Sequence, residues 1–204
     1  MTPELLSDLM NPSPPRTRSS AADSKQALIE ACIDLLATKN VQEVTNALLE
    51  ETTGLNRSYV TRYFGNRNAM FISVVRELDA RIALAIDPSG AGVGELDVIA
   101  LLERPETDIR IRVTMWLLSN GVPASDFVDG DLPVLVRTQE RISAIFGISP
   151  RAARTFAFQS LLMFAGSASI GGTFGTSDAD MVDLEHLVRA QLFASAETAA
   201  ALGW

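Results

Sequence analysis

Cysteine and histidine are nearly missing from this 204-residue sequence, which holds one of each, Cys32 and His186. A single cysteine excludes an internal disulfide and any multi-cysteine zinc centre. Cys32 stands in an apolar stretch of helical spacing, which reads as a buried structural thiol. His186, among Glu185 and Arg189, reads as a helix-flank residue. No H-E-x-x-H, G-x-S-x-G or phosphate-loop pattern occurs, so no catalytic or metal-ligating set can be named and no cofactor is expected. Long apolar runs are scarce too. The longest, 155–170, is broken by Gln159, Ser160, Ser167 and Ser169 and is too short and polar to span a bilayer. The start, MTPELLSDLMNPSPPRTRSS, lacks the cationic head and apolar core of a signal peptide. A cytoplasmic protein with no membrane partner is expected.

Positive charge is also in short supply, since the formal net charge is −8. Its distribution is uneven. Residues 52–76 carry four arginines (Arg57, Arg62, Arg67, Arg76) and no carboxylate, whereas 81–204 carry nine arginines against fifteen carboxylates. A local cationic stretch in an acidic chain is the electrostatic footprint of a nucleic-acid face, with the remainder kept off the duplex.

What the sequence does have is apolar residues, 47% of the total, recurring at helical spacing nearly throughout while alternating strand patterns are rare. The expected fold is all-α. Residues 1–23, with Pro3, Pro12, Pro14 and Pro15, read as a disordered leader. It is taken as a solvated tail, although Arg16 and Arg18 stand where a basic arm reaches a minor groove. Ser24 is read as the cap of a first helix bearing Ala27, Leu28, Ala31, Cys32, Leu35 and Leu36, ending near Asn40 in a left-handed conformation. Thr45 caps a second helix over 46–52, with Leu48 and Leu49 inward. Gly54 supplies the turn, Asn56 caps a third helix over 57–63, and Asn66 caps a fourth. That fourth helix carries Met70, Phe71, Val74, Val75, Leu78, Ile82 and Leu84 on one stripe, as far as Pro88. Beyond a flexible connection at 87–94, helices are expected over 95–102, 108–120, 132–146, 150–170 and from 177 or 178 to about 200. Asp126 to Asp131 reads as an acidic loop.

Within 24–71, the run TGLNRSYVTRYFGNRNAM resembles the motif of TetR-family transcriptional repressors, roughly A-G-V-S-x-x-x-L-Y-x-Y-F-x-S-K-x-x-L. Gly54, Leu55, Val60, Tyr63 and Phe64 agree in character, and Arg67 replaces the usual lysine. Thr61 stands where tyrosine is common, Glu50 where alanine is, and Asn68 where glutamate is. Tyr59, two residues before Thr61, is placed to take over part of the missing tyrosine's contact. The resemblance covers about a quarter of the chain. It implies a three-helix helix-turn-helix DNA-binding domain at 24–70 and a helical effector-binding and dimerisation domain at 71–204. The implied partners are a palindromic double-stranded operator, a second copy of the chain and a small-molecule effector, with repression as the expected sense.

The residues themselves assign the roles. Arg57, Ser58, Tyr59, Thr61 and Arg62 form the exposed face of the recognition helix, where arginine contacts guanine and hydroxyls meet bases or phosphates. Thr45, Asn56, Tyr63 and Arg67 are read as phosphate-positioning groups. Met115, Trp116, Phe127, Phe146, Phe156, Phe158 and Met163 are candidates to line an effector cavity, although aromatic residues at helical spacing more often form core. The last two long helices have excess apolar surface and a small-residue run at 165–169. Leu161, Phe164, Ala165, Ala168, Leu184, Val188 and Leu192 are therefore candidates for a four-helix dimer interface, the bland alternative being that they complete the monomer core. A helical protein-binding adaptor and a small-molecule enzyme remain the competing classes.

Overall fold

The computed structural model describes residues 20–86, 104–127, 130, 132–170, 175 and 177–201. Residues 1–19 of the proposed leader, with Arg16 and Arg18, the connection at 87–94 and the helix at 95–102 lie outside the described residues. All regular structure among the described residues is helical. The helices are α1 (Ala21–Leu36), α2 (Asn46–Thr53), α3 (Ser58–Phe64), α4 (Arg67–Ala85), α5 (Pro105–Ser119), α6 (Pro133–Phe146), α7 (Pro150–Ile170) and α8 (Asp178–Ala201), with 3₁₀ turns at Val41–Glu43 and Ala124–Asp126. The all-α expectation is met.

Local signals set most helix ends. Thr45 Oγ1 accepts from Leu48 N–H at the start of α2, and Asn66 Oδ1 accepts from Ala69 N–H at the start of α4. These bonds satisfy backbone donors that have no partner within the helix. Gly54 closes α2 with φ +68°, and Gly147 closes α6 with φ +64°. Both are left-handed angles that glycine adopts without steric cost. Pro105, Pro133 and Pro150 each occupy a first helical position, where the missing N–H is no loss.

Three expectations at α1 and α4 are corrected. The cap of α1 is Ser20, not Ser24, so the helix begins inside the segment read as leader. Ser20 Oγ accepts from Asp23 N–H while Asp23 Oδ2 accepts from Ser20 N–H, a reciprocal box three residues apart. Ser24 falls one turn into the helix and is buried. Asn40 is extended (φ −71°, ψ 154°) rather than left-handed, because its N–H is held by Glu43 Oε2 at 2.8 Å as it opens the 3₁₀ turn. Leu84 is 81% exposed. Ile82 and Ile86 form the buried edge of α4's end, and a residue two places on from Ile82 points about 200° around the helix from it.

The described residues form one principal core and two smaller ones. The principal core gathers Leu28, Cys32 and Leu36 of α1, Leu49 of α2, Val60 of α3, and Met70, Phe71, Val74 and Leu78 of α4. Ile109, Val113 and Leu117 of α5 and Phe127 join the same cluster. Burial of Cys32 pushes its thiol up to about 12, so it stays protonated and inert. A second cluster joins Leu135 and Ile142 of α6 to Ala152, Ala153 and Ala157 of α7, where small side chains let the two helices approach closely. The third joins Ile82 and Ile86 to Val134. α4 packs on both α5 and α6, making it the strut between the head and the remaining helices.

A buried ion pair pins that strut. Asp79 of α4 accepts from Arg110 Nε of α5, and the Asp79 side chain is only 3% exposed. Burial raises the Asp79 pKa, an effect partly offset by the Arg110 charge. A raised carboxylate pKa means that the folded state holds the proton more tightly than the unfolded chain. Arg110→Ala should therefore cost about 3 kcal/mol at neutral pH, because it strands a buried carboxylate. The loss should shrink as pH falls and Asp79 protonates. Urea unfolding at neutral and mildly acid pH checks this; a loss independent of pH contradicts it.

Candidate nucleic-acid interface

The turn between α2 and α3 is four residues long, 54–57, and local hydrogen bonds fix it. Thr53 Oγ1 donates to Leu49 O at 2.6 Å and accepts from Leu55 N–H at 3.1 Å. Asn56 Oδ1 accepts from Ser58 N–H at 2.9 Å, so Asn56 caps the turn as expected even though regular helix starts at Ser58. Val60 is fully buried and anchors α3 to the principal core, with Tyr59, Tyr63 and Phe64 packed partly against it. The register of these anchors determines what faces out. Arg57, Ser58, Thr61 and Arg62 are exposed, while Tyr59 and Tyr63 are half-buried. Helical geometry puts Ser58, Thr61 and Arg62 on one face, at spacings of three and four.

That face holds no carboxylate. The Arg62 guanidinium lies over the Tyr59 ring at 5.9 Å and over the Tyr63 ring at 5.8 Å, and the two rings are 5.3 Å apart. Thr45 is exposed at the start of α2, its hydroxyl oxygen occupied by Leu48 N–H and its own proton free to donate outward. Sequence reasoning missed Lys25. This exposed α1 residue sits with Nζ 5.3 Å above the Phe64 ring, beside the end of α3. A lone lysine on α1 gives no local signal of this, since its neighbour is 39 positions on in the chain.

Arg67 is placed differently from its expected phosphate role. Its Nη2 donates to Val41 O at 2.5 Å and to Gln42 O at 3.1 Å. The guanidinium lies beside an edge-to-face pair of rings, 5.1 Å from Phe71 and 5.4 Å from Trp116. Desolvation in this setting lowers its pKa from the usual arginine value. Arg67 thus joins α4 and α5 to the segment that leads into α2. Arg112 of α5 grips the same segment from its other end, donating through Nη2 to Leu36 O at 2.7 Å and through Nη1 to Lys39 O at 3.4 Å. Carbonyls at the end of α1 that the helix leaves open are satisfied in this way. Arg76, the fourth cation of the 52–76 stretch, donates to Asp126 O at 3.1 Å.

The residues proposed for an effector cavity are not brought together. Trp116 and Phe127 belong to the principal core, with Trp116 edge-on to Phe71 at 5.4 Å. Phe146, Phe156 and Met163 border the second cluster. Met115 and Phe158 are 51% and 54% exposed. Of the residues proposed for dimerisation, Leu161 and Leu184 pack against the second cluster of their own chain. Ala165 is half-buried, and the side chains of Phe164, Ala168, Val188 and Leu192 lie outside the described residues. Among the described side chains of α7 and α8, the large apolar ones that are exposed are Phe158, Leu162, Val182 and Leu187. No described helix is long and apolar enough to cross a membrane.

A short helix-turn-helix head, buttressed by a long fourth helix and followed by further helices, is a helix-turn-helix arrangement among the described residues. Comparison with known proteins agrees. No protein-family model matches the chain. The HTH-type transcriptional repressor AcnR of Corynebacterium glutamicum is 26% identical over 112 residues, covering 52% of this chain and 57% of that protein. AcnR of Corynebacterium efficiens is 29% identical over 106 residues, covering 50% and 54%. The chain thus spans little more than half the length of these curated relatives. The crystal structure of the TetR family repressor AlkX from Dietzia sp. strain DQ12-45-1b, described as implicated in biodegradation of n-alkanes, superposes with a TM-score of 0.57. It shares 15% identity, covering 89% of this chain and 99% of that one. The fold is thus similar to that of this TetR family repressor, in agreement with the resemblance carried by 24–71.

The inward placement of Arg67 generates a prediction. Arg67→Met keeps most of the volume but removes the charge and both bonds to the 41–42 carbonyls. It should cost about 1–3 kcal/mol of stability and leave the salt dependence of duplex binding unchanged. A phosphate ligand would behave otherwise, lowering the slope of log affinity against log salt by about one. Chemical denaturation with a salt titration of binding separates the two.

Proposed function

We propose that this chain is a DNA-binding transcriptional regulator, a repressor in sense, that reads a palindromic operator as a homodimer and is controlled by a small-molecule effector. The observation that carries this reading is the exposed, carboxylate-free face of α3, with Arg57, Ser58, Thr61 and Arg62 outward and Val60 locked in the core. The similarity to proteins named as HTH-type repressors supports the same reading. A short helix that projects cations and hydroxyls after a glycine turn has the size and chemistry to enter a major groove. Thr45, Asn56, Tyr63 and Lys25 flank it, in the manner of groups that fix position on the phosphates.

Dimerisation is supported by the exposed apolar side chains of α7 and α8. Phe158 and Leu162 are 54% and 57% exposed and lie one turn apart on α7, while Leu187 of α8 is 53% exposed. A two-fold pairing through these helices would bury them and set two copies of α3 against successive major-groove faces. The effector, whose chemical class is open, would act on α5 to α7. The coupling route favoured by the contacts runs through α4 and α5, which the Asp79–Arg110 pair joins and which Arg67 and Arg112 tie to the segment before α2. A ligand that prefers one arrangement of α4 and α5 would change the separation of the two α3 helices.

Selection of bound duplexes from genomic fragments, followed by salt titration, tests the reading. Binding to a palindrome should weaken about a thousandfold or more between about 50 and 200 mM salt. Phe158→Glu with Leu162→Glu should give a monomer by sedimentation and lose the palindrome preference. Failure to bind any duplex at low salt would instead favour a helical protein-binding adaptor.

A further inference from the structure

The two arginines on the exposed side of the α2–α3 unit are held differently. Arg57 precedes the first regular turn of α3, is exposed, and has no hydrogen-bond or ion-pair partner among the described residues. Arg62 is also exposed, but its guanidinium lies within 6 Å of two ring centres, Tyr59 at 5.9 Å and Tyr63 at 5.8 Å. Those rings are themselves fixed. Both are half-buried against the principal core, one helical turn apart, and they touch each other at 5.3 Å with a 54° tilt. A guanidinium over an aromatic face is attracted by the ring quadrupole. Its N–H groups all lie in the guanidinium plane, so stacking does not consume its donors.

We propose that Arg62 is the base-reading arginine of α3, pre-oriented by Tyr59 and Tyr63 to make a two-pronged contact with the major-groove edge of a guanine. Arg57, which nothing holds, serves the phosphate backbone. This rests on the DNA-binding reading above and sharpens it by assigning a base class to one side chain. An arginine free in solution loses rotamer freedom when it docks on guanine O6 and N7. One already held beside two rings anchored in the core loses less, so more of the contact's strength remains as discrimination. The two tyrosines are then positioning residues, and their rings rather than their hydroxyls carry the effect. Thr61, in the place where the family commonly has a tyrosine, leaves this face of α3 open beside Arg62.

The test uses the full-length chain and duplexes selected by it from a random pool, with unfolding measured for every variant. Wild type should select a fixed G·C pair in each half-site. Arg62→Lys keeps the charge, so the salt slope should stay the same, but discrimination at that pair should fall about five- to a hundredfold. Arg57→Lys should leave discrimination there unchanged. Tyr59→Phe keeps the ring and should retain the discrimination at that pair, whereas Tyr59→Leu should lose about two- to fivefold of it. Unaltered base preference in Arg62→Lys would overturn the proposal while leaving DNA binding intact, as would equal damage from Tyr59→Phe and Tyr59→Leu. Failure of wild type to select any duplex would overturn the DNA-binding reading, and this proposal with it.

Discussion

The guanidinium of Arg67, set beside the rings of Phe71 and Trp116, is the contact on which the rest of the head depends. It ties three segments that are far apart in sequence. Arg67 and Phe71 begin α4, Trp116 lies near the end of α5, and the carbonyls it receives belong to Val41 and Gln42, just before α2. A charged donor on two backbone carbonyls is worth more than a neutral one, and the two ring faces compensate the charge for lost water. Arg112 adds a second grip on the end of α1. The head is therefore no independent three-helix unit resting on a tether. Its core contains α5 side chains, and any movement of α5 must alter the loop that aims α2 and α3.

This use of arginine changes the meaning of the charge pattern. Of the four arginines in 52–76, Arg67 is turned inward and Arg76, though exposed, is bonded to the Asp126 carbonyl, which leaves Arg57 and Arg62 as the exposed cations of that stretch with no backbone carbonyl partner among the described residues. Lys25 joins them from α1. The cationic face is thus small, and its selectivity must come from how its few donors are held rather than from their number. Elsewhere arginine is spent on cohesion. Arg81 bonds to Glu30 of α1 and to Glu77 on its own helix, and Arg110 meets Asp79. Hydrogen bonding to Glu30 is the main reason that the Arg81 pKa is raised and the Glu30 pKa lowered.

Features that were legible in the sequence are those decided within one turn of chain. The caps at Thr45, Asn56 and Asn66, the left-handed glycines at 54 and 147, and the proline start at Pro150 need only their neighbours, whereas Pro105 reads as a separator before 108 and in fact begins α5. The outward face of α3 was legible too, because a single buried anchor, Val60, sets the helical phase. What failed needed tertiary information. Arg67 looked like a phosphate ligand because nothing nearby in sequence reveals Trp116. Ser24 reads as the cap from its place before the apolar stripe, whereas the reciprocal Ser20–Asp23 bonds set the cap one turn earlier. The aromatic residues of α5 to α7 were pooled as one pocket, although Trp116 serves the first core, Phe156 the second, and Phe158 neither. Leu161 and Leu184 are partly buried against their own chain, and a helix apolar on several sides does not declare in sequence which side meets its own chain.

Amide hydrogen exchange with and without a selected duplex tests the central claim most directly. If α2 and α3 form the reading surface, duplex binding should slow exchange chiefly across 45–66. A smaller change is expected at 36–44, where Arg67 and Arg112 tie the head to α4 and α5. Protection confined to α6, α7 and α8, with 45–66 exchanging as in the free protein, would contradict it.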